Sequence, residues 1–185
     1  MFSEDSHKDS CGTGILFSKN NTSSHSILKR SISSLQCMRH RGALSYDGKT
    51  PDGVGIMIDL DHNFFQKKLL DEQNLILPSR FGLGMFFVNK KFPFLEKLNV
   101  IVDYHELNLI ALRELKFDES ILGEMAKKSC PQILQIFVEN KKRTDSSDQL
   151  DVNLYTAKKL FDEKCGSERE LYCCSVSAVR QEIRS

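Results

Sequence analysis

Cys11 is followed at once by a glycine-rich apolar run, Gly12-Thr13-Gly14-Ile15-Leu16-Phe17. Apolar residues interrupted by glycines read as a strand over 12–18 that another backbone or a ligand approaches closely. Two readings of Cys11 follow. In one it is a small apolar side chain opening a buried strand, the commonest fate of a free cysteine. In the other it is a nucleophile: residues 1–10 are a leader, and their removal makes Cys11 the N-terminus. A thiol is mostly protonated near neutral pH. A free α-amine titrates near ~7.7–8 and can take its proton, so one residue would carry nucleophile and general base together.

Composition narrows the partners. The chain has 185 residues, enough for one domain with a sizeable core, and 26 basic against 25 acidic side chains. That balance gives no electrostatic case for nucleic acid or an anionic membrane. No apolar run approaches the ~20 residues of a membrane helix. Residues 1–10 lack the basic start and apolar centre of a secretory signal, and they are short and acidic for an organelle transit peptide. A cytoplasmic location is expected, and the six cysteines are expected to be free thiols. Cys165, Cys173 and Cys174 lack the spacing of a zinc clip and have no histidine near them, so no metal site is expected.

Along the chain, Ile27, Leu28, Ile32, Leu35 and Met38 repeat at helical spacing, with Ser23, Ser24 or Ser26 as caps. This stripe reads as core packing. His40-Arg41-Gly42-Ala43 reads as a helix exit, where His40 and Arg41 suit exposed carbonyls and the dipole. The loop Asp47-Gly48-Lys49-Thr50-Pro51-Asp52-Gly53-Val54-Gly55 follows. Gly48-Lys49-Thr50 is not a phosphate loop, because the first glycine that motif requires falls on Ala43. The loop's glycines are expected to let it pass close to a shared site.

Further strands are expected at 56–60, 81–88, 99–103, 133–138 and 171–179. Helices are expected at 63–70 with Asp61 as cap, and at 92–98, 119–128 and 152–164. Residues 104–117 give a mixed pattern, and 141–149 read as a surface loop.

These residues carry a resemblance. Asp9-Ser10-Cys11-Gly12-Thr13-Gly14 is one part of it. Met38-Arg39-His40-Arg41-Gly42-Ala43 with the loop from Asp47 to Gly55 is another. Leu122-Gly123-Glu124, Pro131-Gln132-Ile133 through Phe137-Val138, and Leu154 to Lys159 continue it. Together they resemble the front part of the glutamine amidotransferase domain of the glutamate synthase large subunit. That domain is a class II, N-terminal-nucleophile hydrolase.

The resemblance implies an α+β fold, a four-layer αββα sandwich present here in part over 11–185. It implies removal of the leader 1–10, with Cys11 as nucleophile and its freed α-amine as general base. L-Glutamine would be hydrolysed to glutamate and ammonia through a cysteine thioester. Arg41, Gly42, Asp52 and Gly53 would support the site, Arg41 by hydrogen bonds to loop carbonyls. FMN and an iron–sulfur cluster are implied only for a full-length glutamate synthase, whose remaining domains and electron-donating subunit would be the partners.

The chain departs from the family in two respects. It holds no Asn-Gly pair for the oxyanion, and only Arg80-Phe81-Gly82 mimics, too early, the start of the arginine strand that clamps glutamine. Residues 178–185 drift from the family's apolar strand, as in a truncated gene, a partial open reading frame or an alternative ending. Negligible glutaminase activity of the 185-residue chain, and poor stability, are therefore expected. The alternative reading is a non-catalytic remnant or interaction module that keeps part of the fold.

Overall fold

The computed structural model describes residues 12–20, 24–142, 148–165 and 171–181. It divides into two units: residues 60–118 with 130–181, and residues 12–59 with 119–129.

The larger unit is a four-stranded antiparallel sheet. Its strands are β1 (Arg80–Val88), β2 (Leu107–Leu115), β3 (Gln132–Asn140) and β4 (Leu171–Arg180), in the spatial order β2-β3-β1-β4. Alternation along each strand sends apolar side chains to both faces. On one face Phe86, Val88, Leu134, Ile136 and Val138 meet α3 (Phe94–Tyr104) and α5 (Gln149–Cys165). On the other, Phe81, Leu83, Phe137 and Val179 meet Phe65 and Leu69 of α2 (His62–Gln73).

Register puts Leu83 opposite Phe137 and Phe81 opposite Val179. A bulge between Met85 and Phe86 leaves Cys174 without an opposite residue. It resets the alternation of β4, so that Cys173 and Val176 pack on the same face. Gly82 seats α5: a Cβ there would lie 2.5 Å from a Leu154 methyl and 2.8 Å from Val138.

Several expected elements stand where the sequence put them. Asp61 caps α2, its carboxylate accepting from the Asn63 N–H at 2.9 Å. Strands β1, β3 and β4 and helix α5 contain their expected ranges or nearly so. Residues 104–117 resolve mainly into β2.

The strand expected at 99–103 is instead the second half of α3. Phe94, Leu98, Ile101 and Val102 all bury on one helical face, and that packing overrides the β-propensity of the Val-Ile-Val run. Helix 119–128 splits into a 3-10 turn, Glu119–Ile121, and a short helix, α4 (Glu124–Lys128), with Gly123 between them. Within the surface loop expected at 141–149, residues 143–147 lie outside the described residues.

The smaller unit corrects three expectations. Residues 12–18 and 56–60 form no strand, and Ile15 and Phe17 are 86% and 81% exposed. Among the described residues no partner strand offers them a ladder, and an apolar pattern without a ladder leaves the backbone irregular. Helix α1 (His25–Cys37) does form, capped by the Ser24 hydroxyl accepting from the Ser26 N–H. Its apolar stripe is not core packing, however, since α1 has no buried residue.

Candidate active site

Cys11 lies outside the described residues. Its neighbour Gly12 is described, and its surroundings are informative. A Cβ on Gly12 would stand 3.2 Å from the Met38 sulfur, 3.4 Å from Arg41 Cδ and 3.5 Å from Arg41 Nε. The Arg41 side chain therefore runs along the backbone of the residue that follows the cysteine.

Arg41 ends the 3-10 turn Met38–Arg41 that continues α1. His40 Nδ1 lies 3.0 Å from the Cys37 carbonyl oxygen, a contact that satisfies a helix-end acceptor. Gly42 closes the turn, its N–H donating to the Arg39 carbonyl at 3.3 Å.

From Ala43 the chain enters a tight hairpin. The Ala43 N–H donates to the Asp52 carboxylate at 2.8 Å, and the Asp52 N–H returns to the Ala43 carbonyl at 3.1 Å. One step further, the Ser45 N–H reaches the Thr50 carbonyl at 2.8 Å, and Leu44 bridges Pro51. The Gly48 N–H closes a turn on the Ser45 carbonyl at 2.9 Å. Gly48 has φ +63°, so glycine is the residue for that corner.

Asp47 organises the tip. One carboxylate oxygen accepts from the N–H groups of Lys49 (3.0 Å) and Thr50 (2.8 Å). The other accepts from the Thr50 hydroxyl at 2.6 Å and from the Met125 N–H at 3.3 Å. Hydrogen bonds to the charged form, led by that hydroxyl, hold the Asp47 carboxyl far below the usual carboxylate range. The amides of Lys49 and Thr50 are thus engaged by Asp47, which agrees with the exclusion of a phosphate loop.

Met125 is the second residue of α4, whose capping position is Gly123, a residue with no side chain to offer. Asp47 supplies that cap from 78 positions away in sequence. A Cβ on Gly123 would collide with the Asp47 carboxylate and the Thr50 hydroxyl. The Tyr46 hydroxyl also reaches the Met125 sulfur at 3.0 Å.

Of the residues singled out in the sequence, Gly42 and Asp52 belong to one hydrogen-bonded stretch. Arg41 meets Gly12 by side-chain packing, and among the described residues it makes none of the hydrogen bonds to loop carbonyls expected of it. Gly53 stands apart. Neither it nor Gly55 has an atom within 4 Å of a built Cβ, so the close passage expected of those glycines is not made by the described residues. The link from Asp47 to Gly123 and Met125 was missed, although both segments carried the resemblance. The visible signal was an aspartate two and three positions before Lys49 and Thr50, the pattern of an Asx turn. Cys173 packs partly buried against the apolar core while Cys174 is exposed. Among the described residues no group of three or more His, Cys, Asp or Glu side chains converges.

Comparison with known proteins defines the class of the chain. The family model of glutamine amidotransferases class-II matches residues 11–181, and the chain belongs to that family. Among curated proteins it is similar to ferredoxin-dependent glutamate synthase 1, chloroplastic/mitochondrial, of Arabidopsis thaliana, at 30% identity over 93% of this chain and 11% of the relative. The ferredoxin-dependent glutamate synthase of Spinacia oleracea is 32% identical over 92% of this chain and 11% of its own length. The glutamate synthase [NADPH] large chain of Azospirillum brasilense is 29% identical over 95% of this chain and 12% of its own. The chain thus spans roughly a tenth of the length of these relatives.

Proposed function

We propose that this chain carries the nucleophile-bearing front of a glutaminase site of the glutamate synthase type, with Cys11 as the attacking group. The observation that carries the reading is that the family match begins at residue 11. The Arg41 side chain lying along Gly12 supports it. In the chemistry, the leader 1–10 is removed and the freed α-amine takes the Cys11 thiol proton. The thiolate adds to the side-chain amide carbon of glutamine. The protonated amine gives its proton to the leaving nitrogen, the C–N bond breaks, and ammonia departs from a thioester. Water then adds to the thioester, releasing glutamate and restoring the thiol. The exposed guanidinium of Arg41 beside Gly12 favours the thiolate. Gly42, Asp52 and Gly53 form the loop that carries Arg41 onward, with Asp52 tying its base.

The sandwich architecture of N-terminal-nucleophile hydrolases, a cytoplasmic location, and a glutamate synthase remainder with FMN, an iron–sulfur cluster and an electron donor belong to the same proposal. The 185 residues hold no Asn-Gly oxyanion element and no complete arginine clamp. The nucleophile is tested by processing and reactivity. Mass spectrometry of the purified chain is expected to find a mature N-terminus at Cys11. Site-resolved alkylation is expected to find Cys11 reacting faster than the exposed Cys37 and Cys174. Retention of 1–10, with Cys11 no faster than the other thiols, overturns the reading in favour of a non-catalytic remnant.

A further inference from the structure

Gly123 is the one buried position among the described residues of the smaller unit, and it is a glycine. A buried glycine against a four-fold hydrogen-bonded carboxylate is an unusual centre for a structural unit. The neighbours a Cβ would strike cannot swing away cheaply. Asp47 is held by Lys49, Thr50 and Met125, and the Thr50 side chain is short and itself tied to Asp47.

From this point the contacts run in one direction. Asp47 fixes Thr50, and the Thr50 carbonyl fixes the Ser45 N–H. The hairpin ladder then reaches the Ala43–Asp52 pair. Ala43 is two residues from Arg41, whose side chain lies on Gly12.

We propose that residues 119–129 are a positioning clamp: Asp47, seated on Gly123 and capping α4 through the Met125 N–H, sets the 43–52 hairpin and so places Arg41 beside the residue following Cys11. Asp47 and Gly123 are positioning residues, since neither is placed to touch glutamine. The clamp rests on the reading of Cys11 as nucleophile only for its consequence, not for its geometry.

The geometry and the consequence are read separately on the full chain. For the geometry, hydrogen exchange followed residue by residue compares the unsubstituted chain with Gly123→Ala. The amides of Ala43, Thr50 and Met125 are expected to exchange at least about ten-fold faster in the variant, while those of β1 and β3 keep their protection. Unchanged exchange at Ala43 and Thr50 overturns the clamp. Asp47→Asn keeps the volume and one acceptor, and is expected to give a smaller change at the same amides. It serves if Gly123→Ala loses protection throughout the sheet.

For the consequence, the rate of Cys11 alkylation by iodoacetamide is followed against pH. The midpoint is expected to rise in both variants toward that of a free thiol, ~8.5, as Arg41 loses its place. If exchange quickens but the Cys11 profile stays fixed, the contacts are merely structural and the positioning role is overturned. If Cys11 of the unsubstituted chain already behaves as an ordinary thiol, the nucleophile reading fails and the positioning role with it, while the exchange data still decide whether 119–129 clamps the hairpin.

Discussion

The two units of this chain hold their shape by different means. The sheet unit is organised by apolar burial: Phe81 and Phe137 are fully buried, and their rings pack at 5.8 Å. In the other unit, among the described residues, no apolar side chain is buried. Its order comes from carboxylates, Asp47 and Asp52, that gather backbone N–H groups. Burial is non-directional and tolerates a change of shape at a cost proportional to area. A hydrogen-bonded turn depends on each donor and acceptor, and fails locally when one is removed. The unit that carries the resemblance in the His40–Gly55 loop is the one with the directional, local kind of order.

That contrast can be broken or sharpened by substitution. The largest effect is expected from Phe137→Ala, which empties the middle of the sheet and should lower unfolding stability by about 3–5 kcal/mol in urea. A loss under about 1 kcal/mol would mean that the core does not hold the sheet unit together.

Next is Arg113→Ala. Arg113 makes a two-pronged pair with Glu72 of α2, at 2.5 and 2.8 Å, and also donates to the side-chain amide carbonyl (Oε1) of the buried Gln135 at 2.9 Å. Its removal leaves that carbonyl without a donor and is expected to cost about 1–3 kcal/mol in the same measurement.

Two pH dependences follow. The hydrogen bond from Arg113 holds the Glu72 carboxyl below its ordinary value. Its contribution is therefore present above the unfolded carboxyl's pKa and is lost as pH falls through the depressed one. Glu72→Gln should flatten the acid limb of a stability–pH curve, and an unchanged limb would deny the pair a role. Burial pushes the Cys173 thiol up from 9.0 to about 11. The folded state keeps that thiol neutral, so stability is unaffected below about 9 and falls as pH rises towards about 11. Cys173→Ala should remove that alkaline loss. The smallest effect is expected from Ile32→Ser in α1, where Ile32 is 44% exposed: within about 0.5 kcal/mol.

Local chemistry was legible wherever it acts between near neighbours. The caps at Ser24 and Asp61 are examples, because a hydroxyl or carboxylate needs only an N–H two residues on. Strands β1 and β3 were legible because continuous apolar runs of that length bury on both faces. Residues 99–103 were not. Their β-branched side chains favour a strand, and only contact with the sheet shows that Leu98, Ile101 and Val102 belong to one helical face. Residues 12–18 and 56–60 misled for the converse reason: an apolar run is a property of the sequence, but a strand also requires a partner.

At the candidate site, sequence alone determined the chemical types present: a cysteine ahead of a glycine-rich run, an arginine at a helix exit, and a loop rich in aspartate and glycine. It also determined the family, since those motifs occur together over most of the chain. The tertiary structure decided which of them meet. Arg41 reaches Gly12, and Asp47 reaches Gly123 and Met125. Neither contact leaves a periodic trace, because each depends on the path of the backbone between distant segments. The absence of a Cβ at Gly123 reads in sequence as flexibility, whereas in the fold it is the space that a carboxylate fills.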